Sequence, residues 1–350
     1  MSELSAMVNE AKVVVCCGSG GVGKTTVSAT FALAAARAGR RSCVVTVDPA
    51  RRLADSLGVQ SLANTPTEVS GDWSGHLFAL MLDTKGTFDD LVHRYARTPE
   101  QAEAILANRL YQNLAGALSG TQEYMAMEKL YELVDSGDFD IVVVDTPPTR
   151  NALDLLDAPR RLTRFLENRL FRALLLPTRM SLKAVGVATQ ALLRTISKVA
   201  GAEIVQDAVT FFQAFEGMEE GFRTRAGAVR LLLSDPSTAF VLVTSARPDA
   251  IAEATFFAEK LAEREVIPAA LVVNRIQPRF GAVDPAVSGG ALAPLEANLA
   301  ALNAVADQEE AAYAGLAAQV APAPLGRIPL FGHDVHDLGG LQRTADALFS

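Results

Sequence analysis

At 350 residues, with 49% apolar and 21% charged side chains, the chain has the composition of an ordinary folded protein, which excludes disordered, collagen-like and disulfide-framework classes. That length accommodates one large α/β domain with an insertion, or two ordinary domains. The net charge of −8 excludes a general nucleic-acid coat, because a polyanion repels such a surface unless basic residues cluster, so no nucleic-acid partner is expected.

The opening Met1-Ser2-Glu3 lacks the basic and apolar regions of a secretory signal. No apolar run approaches the ~20 residues of a membrane span, so a cytoplasmic location is expected. Cys16, Cys17 and Cys43 sit in apolar runs that read as buried strands, where cysteine acts as a small hydrophobe, and none has CxxC spacing.

Short apolar runs, most of them rich in Val or Ile, recur along the chain at 12–17, 42–47, 77–82, 140–145, 239–244 and 269–274, with a seventh at 327–330. Longer helical patterns separate them. Continuous rather than alternating apolar character means strands covered on both faces, which predicts an α/β fold with a doubly wound, mostly parallel sheet.

Between the fourth and fifth strands the stretch is too long for a simple crossover and reads as several helices. The core is therefore expected over 1–157 and 231–350, with a helical insertion subdomain over 158–230 packed against helices from about 100–131. The insertion carries twelve Lys and Arg against six Asp and Glu. Its first part sets Arg160, Arg164 and Arg169 beside Leu162, Phe165, Leu166 and Leu170 at helical spacing, an apolar stripe with a basic edge. Such helices either pack on one another or expose a groove for a protein client or a membrane surface. Further on, 284–294 reads as a flexible loop before an Ala-rich helix, which Ala321-Pro322-Ala323-Pro324 terminates.

The segment Gly18-Ser19-Gly20-Gly21-Val22-Gly23-Lys24-Thr25 matches G-x-x-x-x-G-K-[ST], placed directly after a strand and before a helical run. Gly20, Gly21, Val22 and Gly23 are expected to turn their amides inward around a phosphate, at the positive end of a helix that begins at Lys24, Thr25 and Thr26. Lys24 neutralises phosphate oxygens and Thr25 offers a hydroxyl to Mg2+. Asp145, the last residue of an apolar strand, supplies the acid that such a site needs for the metal and its waters, so its strand must adjoin the first. These elements predict a magnesium-dependent nucleoside triphosphatase, with ATP and Mg2+ as cofactors.

The phosphate loop, Val47-Asp48-Pro49-Ala50-Arg51-Arg52-Leu53-Ala54-Asp55 and Asp145-Thr146-Pro147-Pro148-Thr149-Arg150 together resemble the ArsA-type anion-transporting ATPases and the tail-anchored-protein targeting ATPases. Motif order agrees through to Val272-Val273-Asn274. The resemblance implies a dimeric ATPase, a homodimer or a heterodimer with a paralogue. It implies that Asp55 polarises the attacking water, with Lys24 as the other catalytic residue. Asp48 then lies near Mg2+ with Thr25 and Asp145, while Asp48 with Pro49, and Asp145 with Thr146 and Pro147, form two switches. Asn274 is implied to bond adenine, and Pro329, Leu330 and Phe331 to cover the base.

Three departures qualify the likeness. Ser19 stands where the family carries a second lysine that reaches the partner's phosphates; Arg51, Arg52, Arg150 or a lysine-bearing paralogue are the available substitutes, and slow turnover is expected. The zinc-binding Cys pair of the targeting branch is missing after Asn274, so no zinc is expected, and so are the soft-metal cysteines of the arsenite pumps. His333-Asp334-Val335-His336 reads as a polar loop, since no further Cys or His lies nearby in sequence. A nucleotide-holding regulatory partner, a small-molecule kinase or synthetase and a partitioning ATPase remain as alternative functions.

Overall fold

The computed structural model describes residues 2–48, 52–109, 111–112, 121–146, 216–281 and 292–350, with single positions at 157, 160, 164, 207, 210, 211 and 214. In chain order the elements are α1 (Glu3–Glu10), β1 (Val13–Cys17), α2 (Lys24–Arg37), β2 (Arg41–Thr46), α3 (Arg52–Leu57), β3 (Thr67–Val69), β4 (His76–Met81), α4 (Thr84–Tyr95), α5 (Pro99–Leu106) and α6 (Thr121–Asp135). There follow β5 (Ile141–Asp145), α7 (Glu219–Leu233), β6 (Thr238–Ser245), α8 (Pro248–Ala262), β7 (Ala270–Ile276), α9 (Ala293–Gln319), β8 (Leu325–Pro329) and α10 (Leu338–Phe349).

Contacts divide the chain into two units. The first comprises Met1–Leu82, Leu133–Leu153 and Ser234–Ser350, and the second Asp83–Glu132 and Asp154–Leu233. The first holds an eight-stranded sheet of order β3-β4-β2-β5-β1-β6-β7-β8. All neighbours are parallel except β3 and β4. Every residue of β1 and β5 is buried, which is why their valine runs lack alternation: both faces exclude water, at about 1.5–3 kcal/mol for each fully buried large apolar side chain. β1 lies between β5 and β6, with Cys16 level with Asp145. The ends of β1 and β5 therefore open at the same edge of the sheet, where an open α/β sheet binds its ligands.

α2 packs its alanine-rich, largely buried surface on the sheet and against α10. The C-terminal helix α10 starts at Asp337, whose Oδ1 accepts the amide of Gly340 at 2.6 Å. β7 runs to Ile276, two residues beyond the strand read from the sequence, and departs from regular pairing between Asn274 and Ile276. β3 went unread because its three residues, with Glu68 in the middle, form only an antiparallel edge. The helical reading of 100–131 is interrupted after Leu106, where Ala107 and Asn108 leave the helix.

The second unit gathers Phe88, Tyr95, Tyr111 and Phe222 into a ring cluster, with Tyr95 and Phe222 centroids 5.2 Å apart. Glu128 on α6 and Arg225 on α7 form a buried ion pair at 2.5 Å, and the guanidinium lies 4.0 Å from the Tyr131 ring centroid. Most of 158–230, and 284–291 of the loop read at 284–294, lie outside the described residues, while Ala293 already opens α9. Among the described residues no helix is long and apolar enough to cross a membrane.

Candidate functional site

The loop between β1 and α2 is shaped by backbone approaches that only glycine permits. A Cβ on Gly18 would run into the carbonyl oxygen of Val243 on β6. Gly23 caps α2 in the left-handed region, at φ 93°, and a Cβ there would collide with the Asn274 amide. That amide serves the loop directly, because Asn274 Nδ2 donates to Val22 O at 2.8 Å and so fastens the loop to the end of β7. Lys24 folds back to donate through Nζ to Ser19 O at 2.9 Å, closing the loop on itself. Burial lowers the Lys24 pKa, against the attraction of Asp145.

Below the loop, Thr25 and Thr46 both donate to Asp145 Oδ2, at 2.7 and 2.8 Å. Thr46 Oγ1 also accepts the amide of Asp48 at 3.2 Å, and Thr146 donates to Cys16 O at 2.7 Å, tying the first turns after β2 and β5 into the same network. Asp145 is 1% exposed, and among the described residues its buried Oδ1 has no hydrogen-bond partner. Burial pushes its pKa from an ordinary 3.8 up to about 6, despite the two hydroxyl donors that oppose the rise. An unsatisfied carboxylate oxygen beside a threonine hydroxyl, with Asp48 on the same cleft, is a hard oxygen set that fits Mg2+.

A cleft of about 460 Å³ opens above, a volume ordinary for a small-molecule site. Gly21, Gly23, Lys24, Thr25, Thr26, Asp48, Asp55, Thr146, Asn274, Pro329, Leu330 and Phe331, all named from the sequence, line it together. Gly20 and Val22 line a neighbouring cleft of about 410 Å³ with Ser19. Pro49 and Pro147 lie outside the described residues, as do Arg51 and Arg150. Arg52 does line the main cleft, with an ion pair to Asp48 at 3.5 Å.

The structure adds Ser56, Arg275, Val335 and the histidines His333 and His336 to the same wall. Ser56 lies one residue beyond Asp55 on α3, so proximity to that motif was its signal. Arg275 had none: its place depends on a φ of 61°, which no pattern in the residues announces. His336 Nδ1 lies 2.8 Å from Asp334 O, and among the described residues no three His, Cys, Asp or Glu side chains form a metal cluster.

The profile of the anion-transporting ATPases, ArsA ATPase, matches residues 11–282. The chain belongs to that family. ATPase GET3A of Arabidopsis thaliana is 29% identical over 262 residues, 74% of this chain and 65% of the relative. ATPase asna-1 of Caenorhabditis elegans is 33% identical over 151 residues, 41% of this chain and 43% of the relative. ATPase ARSA2 of Chlamydomonas reinhardtii is 35% identical over 152 residues, 43% of this chain and 39% of the relative. The match thus spans less than half the length of the last two. The 11–282 match ends ahead of the 329–336 wall of the cleft.

Proposed function

We propose that the protein is a Mg2+-dependent ATPase whose nucleotide state governs dimerisation and the binding of a protein or other apolar client through its helical subdomain. The observation that carries this reading is the buried, unpartnered Oδ1 of Asp145 beside Thr25, directly under a phosphate loop closed by Lys24. Asp145, Thr25 and Asp48 would hold the cation, and bound Mg2+ supplies positive charge beside the triphosphate oxygens.

The amides of Gly20 to Gly23 cradle the phosphates at the start of α2, where the helix dipole favours anions. Lys24 exchanges the Ser19 carbonyl for phosphate oxygens, a stronger, charge-assisted partner. Asp55 on α3 lies on the cleft and orients the attacking water, while Pro329, Leu330 and Phe331 form an apolar wall for the base with Asn274. Asp48 and Pro49, with Thr146 and Pro147, are the segments that γ-phosphate orders and hydrolysis releases. Self-association is supported by α9, whose first half exposes Leu295, Leu302 and Val305.

Phosphate release by the purified chain, with Lys24→Ala and Asp55→Asn beside it, tests the chemistry. Both variants are expected to lose at least tenfold in turnover; variants as active as wild type would refute the assignment. Ser19 favours a second reading, a nucleotide-holding regulatory partner of a lysine-bearing paralogue. Stable ATP occupancy without release, reversed by adding that paralogue, is the outcome that would select it.

A further inference from the structure

Two non-glycine residues among those described have positive φ, Glu265 at 59° and Arg275 at 61°. Glu265 follows the end of α8, where a left-handed residue is a common way to finish a helix. Arg275 is different. It lies inside β7, where left-handed backbone is unfavourable for an L-residue other than glycine, and where sheets that need it usually place glycine.

The strain has a geometric product. In a regular strand, consecutive side chains point to opposite faces. Asn274 and Arg275 are consecutive, yet both line the main cleft. The pairing irregularity between Asn274 and Ile276, opposite Ile328 and Pro329 of β8, and the left-handed φ of Arg275 break that alternation where both residues border the cleft. Arg275 also lines the neighbouring cleft with Ser19, Gly20, Gly21 and Val22. Gly21 is common to both clefts, so the arginine borders the phosphate loop from either side.

Its charge is uncommitted. The side chain is exposed, and among the described residues no hydrogen bond or ion pair holds its guanidinium. The three acidic residues of the neighbouring cleft each have a partner: Asp249 pairs with Arg247 at 2.5 Å, Glu309 accepts the amide of Gln277 at 2.6 Å, and Glu253 is engaged as well. A strained backbone that delivers an unpaired cation to a site is the pattern by which strain marks function.

We infer that Arg275 is a phosphate-contacting residue of the nucleotide site, placing a guanidinium on the phosphate tail beside the loop whose Ser19 carries no charge. The inference rests on the nucleotide reading above. Guanidinium suits the role, since its forked donors match phosphate oxygens.

Titration calorimetry with Mg·ADP on wild type, Arg275→Gly, Arg275→Gln, Arg275→Lys and Lys24→Ala, alongside thermal melts, tests it. Arg275→Gly is expected to melt at or above the wild-type temperature, because glycine accepts the left-handed backbone, yet to bind Mg·ADP about tenfold more weakly. Arg275→Gln should bind as weakly as the glycine variant, Arg275→Lys nearer to wild type, and the deficit should shrink at high salt. Wild-type affinity in Arg275→Gly and Arg275→Gln, or a deficit unchanged by salt, would overturn the inference. If wild type itself bound no nucleotide, the ATPase reading would fall instead; saturable binding lost in Lys24→Ala but kept in the Arg275 variants would remove the arginine alone.

Discussion

Asn274 and Val22 are joined by a 2.8 Å hydrogen bond from the asparagine amide to the loop carbonyl, which makes the end of β7 a brace for the phosphate loop. The resemblance gives this asparagine to the adenine base. One N–H is committed to Val22, while the second N–H and the carbonyl oxygen remain for a ligand.

The brace makes a prediction that a purely base-reading asparagine does not. Asn274→Ala is expected to weaken binding of Mg·ADP and Mg·GDP alike, by about 1 kcal/mol, because the loop loosens whatever base is attached. Gly23→Ala should be more severe, since it combines left-handed φ with a collision against the same amide. The double variant should lose less than the sum of the two, as Asn274→Ala removes the atom that the new methyl meets. Calorimetry on the four proteins measures the coupling. Strict additivity would show that the two positions do not meet.

The end of the sheet where the cleft opens was legible because its signals are local and redundant. Gly18 to Thr26 follows a valine run and opens a helix, and Asp145 ends a second valine run, so the residues themselves demand that β1 and β5 be neighbours, as they are. What escaped reading is set by long-range contact or by backbone state. β3 is a three-residue edge with no apolar run. Arg275 follows Asn274 in a strand pattern whose alternation would set the two on opposite faces, and the irregular pairing with β8 and a positive φ break that alternation. His333 and His336 were read as a polar loop, and what places them on the cleft is the seating of α10, with Leu341, Ala345 and Leu348 in the core.

Asp145 predicts a pH dependence of stability without divalent cation. Its folded pKa of about 6 lies above the ordinary 3.8, so the folded state holds the proton more tightly than the unfolded chain. Stability from this group is complete below about pH 4 and is lost as pH rises through about 6, by about 3 kcal/mol. Asp145→Asn removes the titration. In EDTA, urea unfolding of wild type should show a midpoint that falls between pH 5 and 7.5 relative to the variant, and Mg2+ should restore wild type alone. Parallel pH profiles for the two proteins would show that the carboxylate does not carry this penalty.

The Glu128–Arg225 pair governs the second unit in a different way. Glu128 is 1% and Arg225 8% exposed, so Arg225→Leu leaves the Glu128 carboxyl buried without the cation it pairs with. Arg225→Leu is expected to destabilise by about 3–5 kcal/mol and to raise hydrogen exchange along α6 and α7. Glu128→Met with Arg225→Leu should recover most of that, because an apolar pair needs no compensation. Were the double variant as unstable as the single one, the packing of the guanidinium on Tyr131 would matter more than its charge.

Ser19 supplies the sharpest test of rate. Its backbone carbonyl, not its side chain, receives Lys24, and the residue borders the neighbouring cleft rather than the main one. Ser19→Lys should therefore leave the loop closed while adding the charge that the resemblance says is missing. A cation acting on a partner's phosphates contributes ~10³- to 10⁵-fold in favourable cases, so even partial placement should raise kcat at least tenfold. Because the resemblance has that charge act across two copies, the gain should grow with protein concentration until dimers saturate. Phosphate release measured over a dilution series separates the possibilities: a gain independent of concentration places the new lysine over its own chain's nucleotide, and no gain means that another cation already occupies the place that lysine would take.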